Sequence, residues 1–309
     1  MERGMNKIVI ITRRTRLEEL VRKYNTVGQA RFFIEHMGMD FEDYVTEDAV
    51  YRQAVKTVTE AAGELARVQT IDREYLPNMI FGEKDVCVAV GQDGLIANAM
   101  KYLEDQPLIG INPDAQRNDG ILLPYEAGQA RDVLRRVLAE NYDCKEITMA
   151  EVKTRDGQSL LAVNDLFVGC NSHASARYSL TFEGREENQS SSGIIISTGL
   201  GATGWYKSVI EEARAIAKYF GCGQIPFQPI KWNERKLSFV VREPFASIAT
   251  SAEMVFGCIK QGEELRVTSN MPAGGVIFSD GMEEDRLEFH SGNEATIGIA
   301  GKTGKLVYG

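Results

Sequence analysis

The run Asp85-Val86-Cys87-Val88-Ala89-Val90 restricts the fold more than any other segment. It is apolar at almost every position, the pattern of a strand covered on both faces, as strands of parallel sheets are. It ends in Gly91-Gln92-Asp93-Gly94. Leu95 to Leu103 then reads as a helix, and Pro107-Leu108-Ile109-Gly110-Ile111-Asn112 as a second buried strand. Strand, glycine turn, helix and strand make a βαβ unit, so the sheet is expected to be parallel, with helices on its faces. The flanking sequence supplies them. Lys7 to Thr12 is a run rich in β-branched residues, Leu17 to Val21 opens a helix, and Gln29 to Met37 continues one. Thr46 to Leu65 carries apolar residues at helical spacing, with Thr46 as the expected N-cap.

Ala127 to Asn141 reads as one more helix, and beyond it the texture changes. Lys145 to Lys153, Leu160 to Gly169, Arg177 to Glu183, Gly193 to Thr198, Leu237 to Arg242, Met254 to Lys260, Glu264 to Thr268, Gly275 to Ser279, Leu287 to His290 and Ala295 to Ala300 are all strand-like. They are short and separated by turn residues, which reads as a β-sandwich or a similar layered structure. One helix, Thr203 to Phe220, interrupts them. A chain of 309 residues holds about two domains at roughly 100–200 residues each. The expectation is an N-terminal α/β domain with a parallel, Rossmann-like sheet over 1–127, and a β-rich, sandwich-like domain over 128–309. The C-terminal tail is left free to pack back on the first domain.

Composition narrows the function. Lys and Arg total 35 against 44 Asp and Glu, a net charge of −9, which excludes a nucleic-acid binder that relies on overall positive charge. No apolar run is long enough to cross a membrane, and the N-terminus lacks an apolar leader. Five cysteines without CxxC spacing, and three distant histidines, point away from a disulfide framework and from a zinc site. The cytoplasm is the expected compartment.

Three segments carry chemistry. Gly91-Gln92-Asp93-Gly94 lies where ligands of open α/β sheets bind, beyond a strand's carboxyl end and at a helix N-terminus that favours anions. An Asp there repels phosphate, so Asp93 suits a proton acceptor, a metal contact or a group that orients a hydroxyl. The turn also reads as an ordinary Asp-Gly turn with a capping carboxylate. Ser197-Thr198-Gly199-Leu200-Gly201-Ala202-Thr203-Gly204-Trp205 contains G-x-G-x-x-G, but no second parallel strand ending in Asp or Glu follows. Its glycines and hydroxyls fit an anion or a ribose, or else a tight strand-to-helix corner. Asn164-Asp165 interrupts an apolar run, as a ligand-binding pair or as a strand junction.

The ordered set resembles the ATP-dependent NAD kinase family. Its Gly-Gly-Asp-Gly-Thr turn, Asn-Glu pair and Thr-Gly-Ser-Thr-Ala-Tyr stretch are similar to Gly91-Gln92-Asp93-Gly94-Leu95, Asn164-Asp165 and Leu200-Gly201-Ala202-Thr203-Gly204-Trp205. Gly110-Ile111-Asn112 and Ser279-Asp280-Gly281 match its Gly-x-Asn and Val-Asp-Gly, so the likeness spans residues 85 to 281. The resemblance implies a nucleotide-binding first domain and an NAD-binding second. The implied reaction transfers the γ-phosphoryl of ATP to the adenosine-ribose 2′-hydroxyl of NAD, giving NADP. Asp93 would take the hydroxyl proton, and Gly91 and Gly94 would bring backbone to phosphate. Asn164 and Asp165 would hold ribose or adenine. Thr203, Gly204, Trp205 and Ser208 would line the dinucleotide pocket, with Trp205 stacking on a base. Mg²⁺ comes with the ATP; polyphosphate is an open alternative donor. No protein metal ligands are implied, and the family is generally oligomeric, so a homo-dimer or homo-tetramer is expected.

Departures fall on the ATP side of the pattern. Gln92 stands for the second glycine, Leu95 for a hydroxyl and Leu200 for Thr or Ser. Two other readings therefore stay open: a catalytically silent NAD(P)-binding regulatory homologue, and a kinase of another hydroxyl (sugar, nucleoside or lipid). Arg13, Arg14 and Arg16 follow the first strand and either reach phosphates or form a solvated cluster. Met37, Met39 and Met100 are expected in the core, and Glu283 to Arg286 in a solvated turn.

Overall fold

The computed structural model describes residues 7–227 and 229–309. The N-terminal stretch 1–6, Gln228 and the side chain of Glu284 lie outside the described residues. The chain divides into two units, residues 1–145 with 305–309, and residues 146–304.

The first unit runs β1 (Lys7–Thr12), α1 (Arg16–Tyr24), α2 (Val27–His36), α3 (Phe41–Gly63), β2 (Arg67–Asp72), β3 (Val86–Val90), α4 (Asp93–Lys101), β4 (Leu108–Asn112), β5 (Tyr125–Glu126) and α5 (Ala130–Leu138). Strands β2, β1, β3 and β4 pair in parallel in that order, and Leu306 of the returning C-terminus pairs in parallel with Leu108. Every residue of β3 and β4 is buried, as their apolar runs require. Ile8, Ile10, Val86, Val88, Ile109 and Ile111 meet Val58 and Ala62 of α3 and Val133 and Leu134 of α5 in one core. Helix α5 thus packs with the first unit, so the contact division falls after Lys145 rather than at the change of texture near residue 127.

Helix α3 begins at Phe41, not at Thr46. Asp40 caps it by accepting the N–H of Glu42, and Phe41 anchors its first turn against Ala30 and Ile34 of α2. Strand β2 was not expected, because Arg-Val-Gln-Thr-Ile-Asp is half-exposed at the sheet edge and shows no apolar run. Met100 is core at 1% exposure, but Met37 and Met39, at 57% and 40%, lie on the surface around the end of α2.

The second unit contains β6 (Cys144–Thr154), whose first residues precede the division, β7 (Ser159–Ala162), β8 (Asp165–Cys170), β9 (Ala176–Phe182), β10 (Arg185–Ser191), β11 (Ile194–Ser197), α6 (Trp205–Phe220), β12 (Lys236–Val241), β13 (Phe256–Lys260), β14 (Leu265–Ser269), β15 (Gly275–Ser279), β16 (Met282–Glu288) and β17 (Glu294–Val307). One sheet has the order β10-β9-β14-β17, with β6 beside β17 and β7 beside β6. The other has the order β13-β12-β11-β8-β15-β16 and is antiparallel throughout.

Period-two alternation explains its layers. Leu166 and Val168 of β8, Ile194 and Ile196 of β11, and Leu237 and Phe239 of β12 face the sandwich core with Tyr178, Leu180, Val267 and Ile297. Phe167 and Ile195, which lie between them, and Val240, which follows Phe239, turn to the other face and bury Ala202, Tyr206 and Ile210 at and along α6. The expected parallel α/β part and β-rich sandwich are both present.

Several local expectations change. The run Leu160 to Gly169 is two strands broken at Val163-Asn164, and Glu283 to Arg286 lies within β16. Strand β10 escaped notice because its inward side chains are polar. Gln189 donates to the Met254 carbonyl and accepts from Tyr178, while Glu187 accepts the N–H groups of Glu253 and Met254, so burial costs little.

Candidate active site

In the first unit, β3 ends at Val90 and α4 starts at Asp93. The N–H of Gly91 already bonds the Ile111 carbonyl at 3.1 Å, which ties the turn to β4. This N–H is committed to the sheet and is not a free donor. The N–H groups of Asp93 and Gly94 have no backbone acceptor among the described residues, as expected for a first helical turn. They are the amides available to an anion. A side chain at Gly94 would meet nothing within 4 Å, so this backbone is open.

The Asp93 carboxylate is half-buried and accepts the N–H of Leu122 at 2.8 Å and of Ile121 at 3.3 Å. The segment after β4 folds back to it. Asn112 fixes that segment, donating to the Asn118 carbonyl at 3.1 Å, and Gln92 donates to Asn118 Oδ1 at 3.4 Å. Tyr51 of α3 joins the ends of β1 and β3. Its buried hydroxyl accepts the Arg13 N–H at 2.8 Å and donates to the Val90 carbonyl at 3.1 Å, and burial pushes its pKa up to about 12.

In the second unit, Asn164 and Asp165 form the junction into β8. Asp280, at a φ of +55°, lays its carboxylate across the three N–H groups of Val163, Asn164 and Asp165, at 3.1, 2.6 and 3.2 Å. Asp165 is 9% exposed, and burial, aided by the charge of Asp280, raises its pKa to about 7. The Asn164 carbonyl accepts the Thr198 N–H, and Thr198 Oγ1 donates to the Val163 carbonyl while accepting the N–H groups of Leu200 and Gly201. The Asn-Asp junction and the glycine corner are therefore one structure. A Cβ on Gly201 would lie 2.1 Å from the Asn164 carbonyl oxygen, and one on Gly199 would lie 2.2 Å from that of Lys231. Strand β11, which leads into this corner, is antiparallel to both neighbours, so the G-x-G-x-x-G spacing is not a Rossmann site.

Beyond the corner, Thr203, Gly204 and Ser208 are exposed. Ser208 Oγ donates to the Trp205 carbonyl at 2.7 Å, which occupies its proton within α6. Trp205 stacks on Phe167 and Phe278, at 5.4 and 6.5 Å between centroids, and the Arg242 guanidinium lies 5.1 Å from its ring. The indole is already engaged, which leaves base stacking by Trp205 without support. The main features missed in the sequence are the bracing of Asn164 by Asp280 and the bridge through Tyr51. Asp280-Gly281 offered a signal in its Asp-Gly turn; Tyr51, within a helical pattern, offered none.

No family model matches the chain. A probable NADH kinase of Oryza sativa subsp. japonica is 26% identical over 227 residues, which cover 68% of this chain and 66% of that protein, just under two thirds of its length. Among solved structures, yeast NADH kinase complexed with NADH aligns with a TM-score of 0.60 at 14% identity, over 99% of this chain and 84% of that one. An NAD kinase from Archaeoglobus fulgidus in complex with ATP aligns with a TM-score of 0.59 at 16% identity, over 98% and 93%. The motif resemblance thus has a counterpart in sequence, and the fold is that of these kinases.

Proposed function

We propose that this chain is an NAD kinase-like phosphotransferase, which moves the γ-phosphoryl of MgATP to the adenosine-ribose 2′-hydroxyl of NAD. The observation that carries this reading is the start of α4: a half-buried carboxylate, Asp93, beside two unused N–H groups at the carboxyl end of a parallel strand. In the proposed step Asp93 takes the 2′-hydroxyl proton, the oxygen bonds to the γ-phosphorus, and the bond to the β-bridging oxygen breaks, releasing ADP. The N–H groups of Ile121 and Leu122 position the carboxylate without exhausting it, since an ionised carboxylate offers about four lone-pair sites. Asn164 and Asp165 are assigned to ribose or adenine. Asp165, with a pKa near 7, can donate to or accept from a sugar hydroxyl. Thr203 and Gly204 are assigned to the exposed entrance of the dinucleotide pocket.

NADH belongs with NAD as an acceptor to be tested, because the rice and yeast proteins similar to this chain are described as NADH kinases. The reading keeps the cytoplasm as the compartment and a homo-oligomer as the assembly, the latter supported by the edge strands β13 and β16. Purified protein is incubated with MgATP and either NAD or NADH, and NADP or NADPH is measured. Formation of neither rejects the reading. Light scattering on the same sample reports the assembly.

A further inference from the structure

Helix α6 lies over the outer face of the second sheet, yet only Tyr206 and Ile210 of the helix are buried. A groove of about 880 Å³ opens between helix and strands. That volume is towards the large end of ligand pockets, roughly 300–1,000 Å³. The helix wall is the apolar stripe Val209, Ala213 and Ile216, spaced i, i+4 and i+7. The facing wall is one side of β12 and β13. Their register sets Lys236 opposite Lys260, Ser238 opposite Cys258, and Val240 opposite Phe256. By strand alternation these six share the face that α6 covers at Val240.

The groove changes character along its length. Lys236 and Val240 are about 13 Å apart at roughly 3.3 Å per residue. In the middle, polar atoms satisfy one another: the Tyr206 hydroxyl is hydrogen-bonded with Ser238, whose Oγ lies 3.7 Å from the Cys258 thiol. They ask nothing of an occupant. Ile216 and Phe256 are 53% and 50% exposed, apolar surface that an occupant would remove from water.

The Lys236 end is different. Two like charges stand directly opposite each other across neighbouring strands, which destabilises a sheet unless an anion lies between them. Neither lysine makes an ion pair among the described residues. Nearby groups are engaged elsewhere. Arg235 donates to Gln261 and to the Ala300 carbonyl, and Glu263 accepts the Lys260 backbone N–H at 2.8 Å. The carboxylates that line the groove, Glu212 and Glu243, are exposed. Glu243 follows the far end of β12 and lies 3.5 Å from Arg242.

We infer that this groove binds a free, single-chain amphipathic anion, of the class of medium-chain fatty acids. Its carboxylate sits between Lys236 and Lys260, and its chain runs between the β12–β13 face and the stripe of α6. The charge complementarity is local: unpaired cations at one end, and apolar or internally satisfied walls beyond them. Neither Asp93 nor the Asn164-Asp165 pair lines the groove, so binding here is separable from phosphoryl transfer and its test needs no turnover.

Dodecanoate, kept below its micellar concentration, is titrated by calorimetry into the full chain. Saturable binding of one molecule per chain is expected. Dodecyltrimethylammonium, with the same tail and the opposite charge, is expected to bind at least tenfold more weakly. Lys236→Gln/Lys260→Gln is expected to weaken dodecanoate at least tenfold; it removes facing like charges and is expected to fold. Ala213→Phe, which places a ring in the groove from the helix side, is expected to weaken it as much. Urea midpoints near that of the wild type verify folding, and the contrast between the two probes on the wild type stands without either variant. No saturable binding of dodecanoate, equal affinity for the two probes, or affinity within twofold of the wild type in the lysine variant overturns the inference. So does sedimentation showing an oligomer that Ala213→Phe dissociates, since the groove then belongs to a second copy of the chain.

Discussion

The carboxylate of Asp280 accepts the backbone N–H of Asn164 at 2.6 Å, and so a residue late in the chain shapes the junction that presents Asn164 and Asp165. Two further N–H groups converge on the same carboxylate. Asp280→Ala leaves three donors without it in a partly buried turn and puts a Cβ-bearing residue without a capping side chain at positive φ. We expect a loss of about 2–4 kcal/mol and weaker NAD binding. Asp280→Asn, which tolerates that φ and still accepts, loses less. Urea midpoints of the two variants check the order; equal midpoints refute it.

Asp165 gives the protein a pH dependence of definite sign. Its folded pKa, about 7, lies above the value of roughly 4 for an unfolded carboxylate. Between those values the folded chain binds more protons than the unfolded one. Stability from this group is therefore full below about pH 4 and is lost as pH rises towards 7. Asp165→Asn is expected to flatten that slope and to stabilise the protein at pH 8 by on the order of 1–3 kcal/mol, while weakening NAD binding. Unchanged slopes in denaturation series at several pH values would contradict this.

Asp93→Asn keeps an oxygen for the Leu122 N–H but removes the proton acceptor. The expected outcome is a fall in kcat of about 10²–10⁴-fold, the usual worth of a general base, with a urea midpoint near that of the wild type. Retention of full NADP formation would remove Asp93 from the mechanism.

Two glycines should behave in opposite ways. Gly201→Ala forces a methyl group to within 2.1 Å of the Asn164 carbonyl oxygen, so backbone must move, and a loss of roughly 2 kcal/mol or more is expected. Gly94→Ala meets open space in the first turn of α4 and should be neutral or stabilising by up to about 1 kcal/mol. Thermal melts of the pair decide the matter.

Tyr51→Phe tests the bridge between β1 and β3. It deprives the Arg13 N–H and the Val90 carbonyl of their shared partner and should cost about 1–3 kcal/mol. Amide exchange at Arg13 should rise; protection equal to the wild type would show that the bridge is dispensable.

Much of the fold was legible because it rests on local periodicity. The continuous apolar run of β3 and the alternating strands of the second unit state directly which faces are buried. Strand β10 and edge strand β2 were not legible, because partners distant in sequence satisfy or expose their polar residues. The same division holds at the candidate site. The carboxylate Asp93, the Asn164-Asp165 pair and the glycine corner are properties of residue type and order, and the chain alone determined that such groups exist between strands and helices. Only the tertiary structure decided what holds them: Asp280 under Asn164, and the Asn164 carbonyl against Gly201. The physical reason is that hydrogen bonds, charge pairing and close packing act through space, between residues whose separation along the chain carries no trace of their contact.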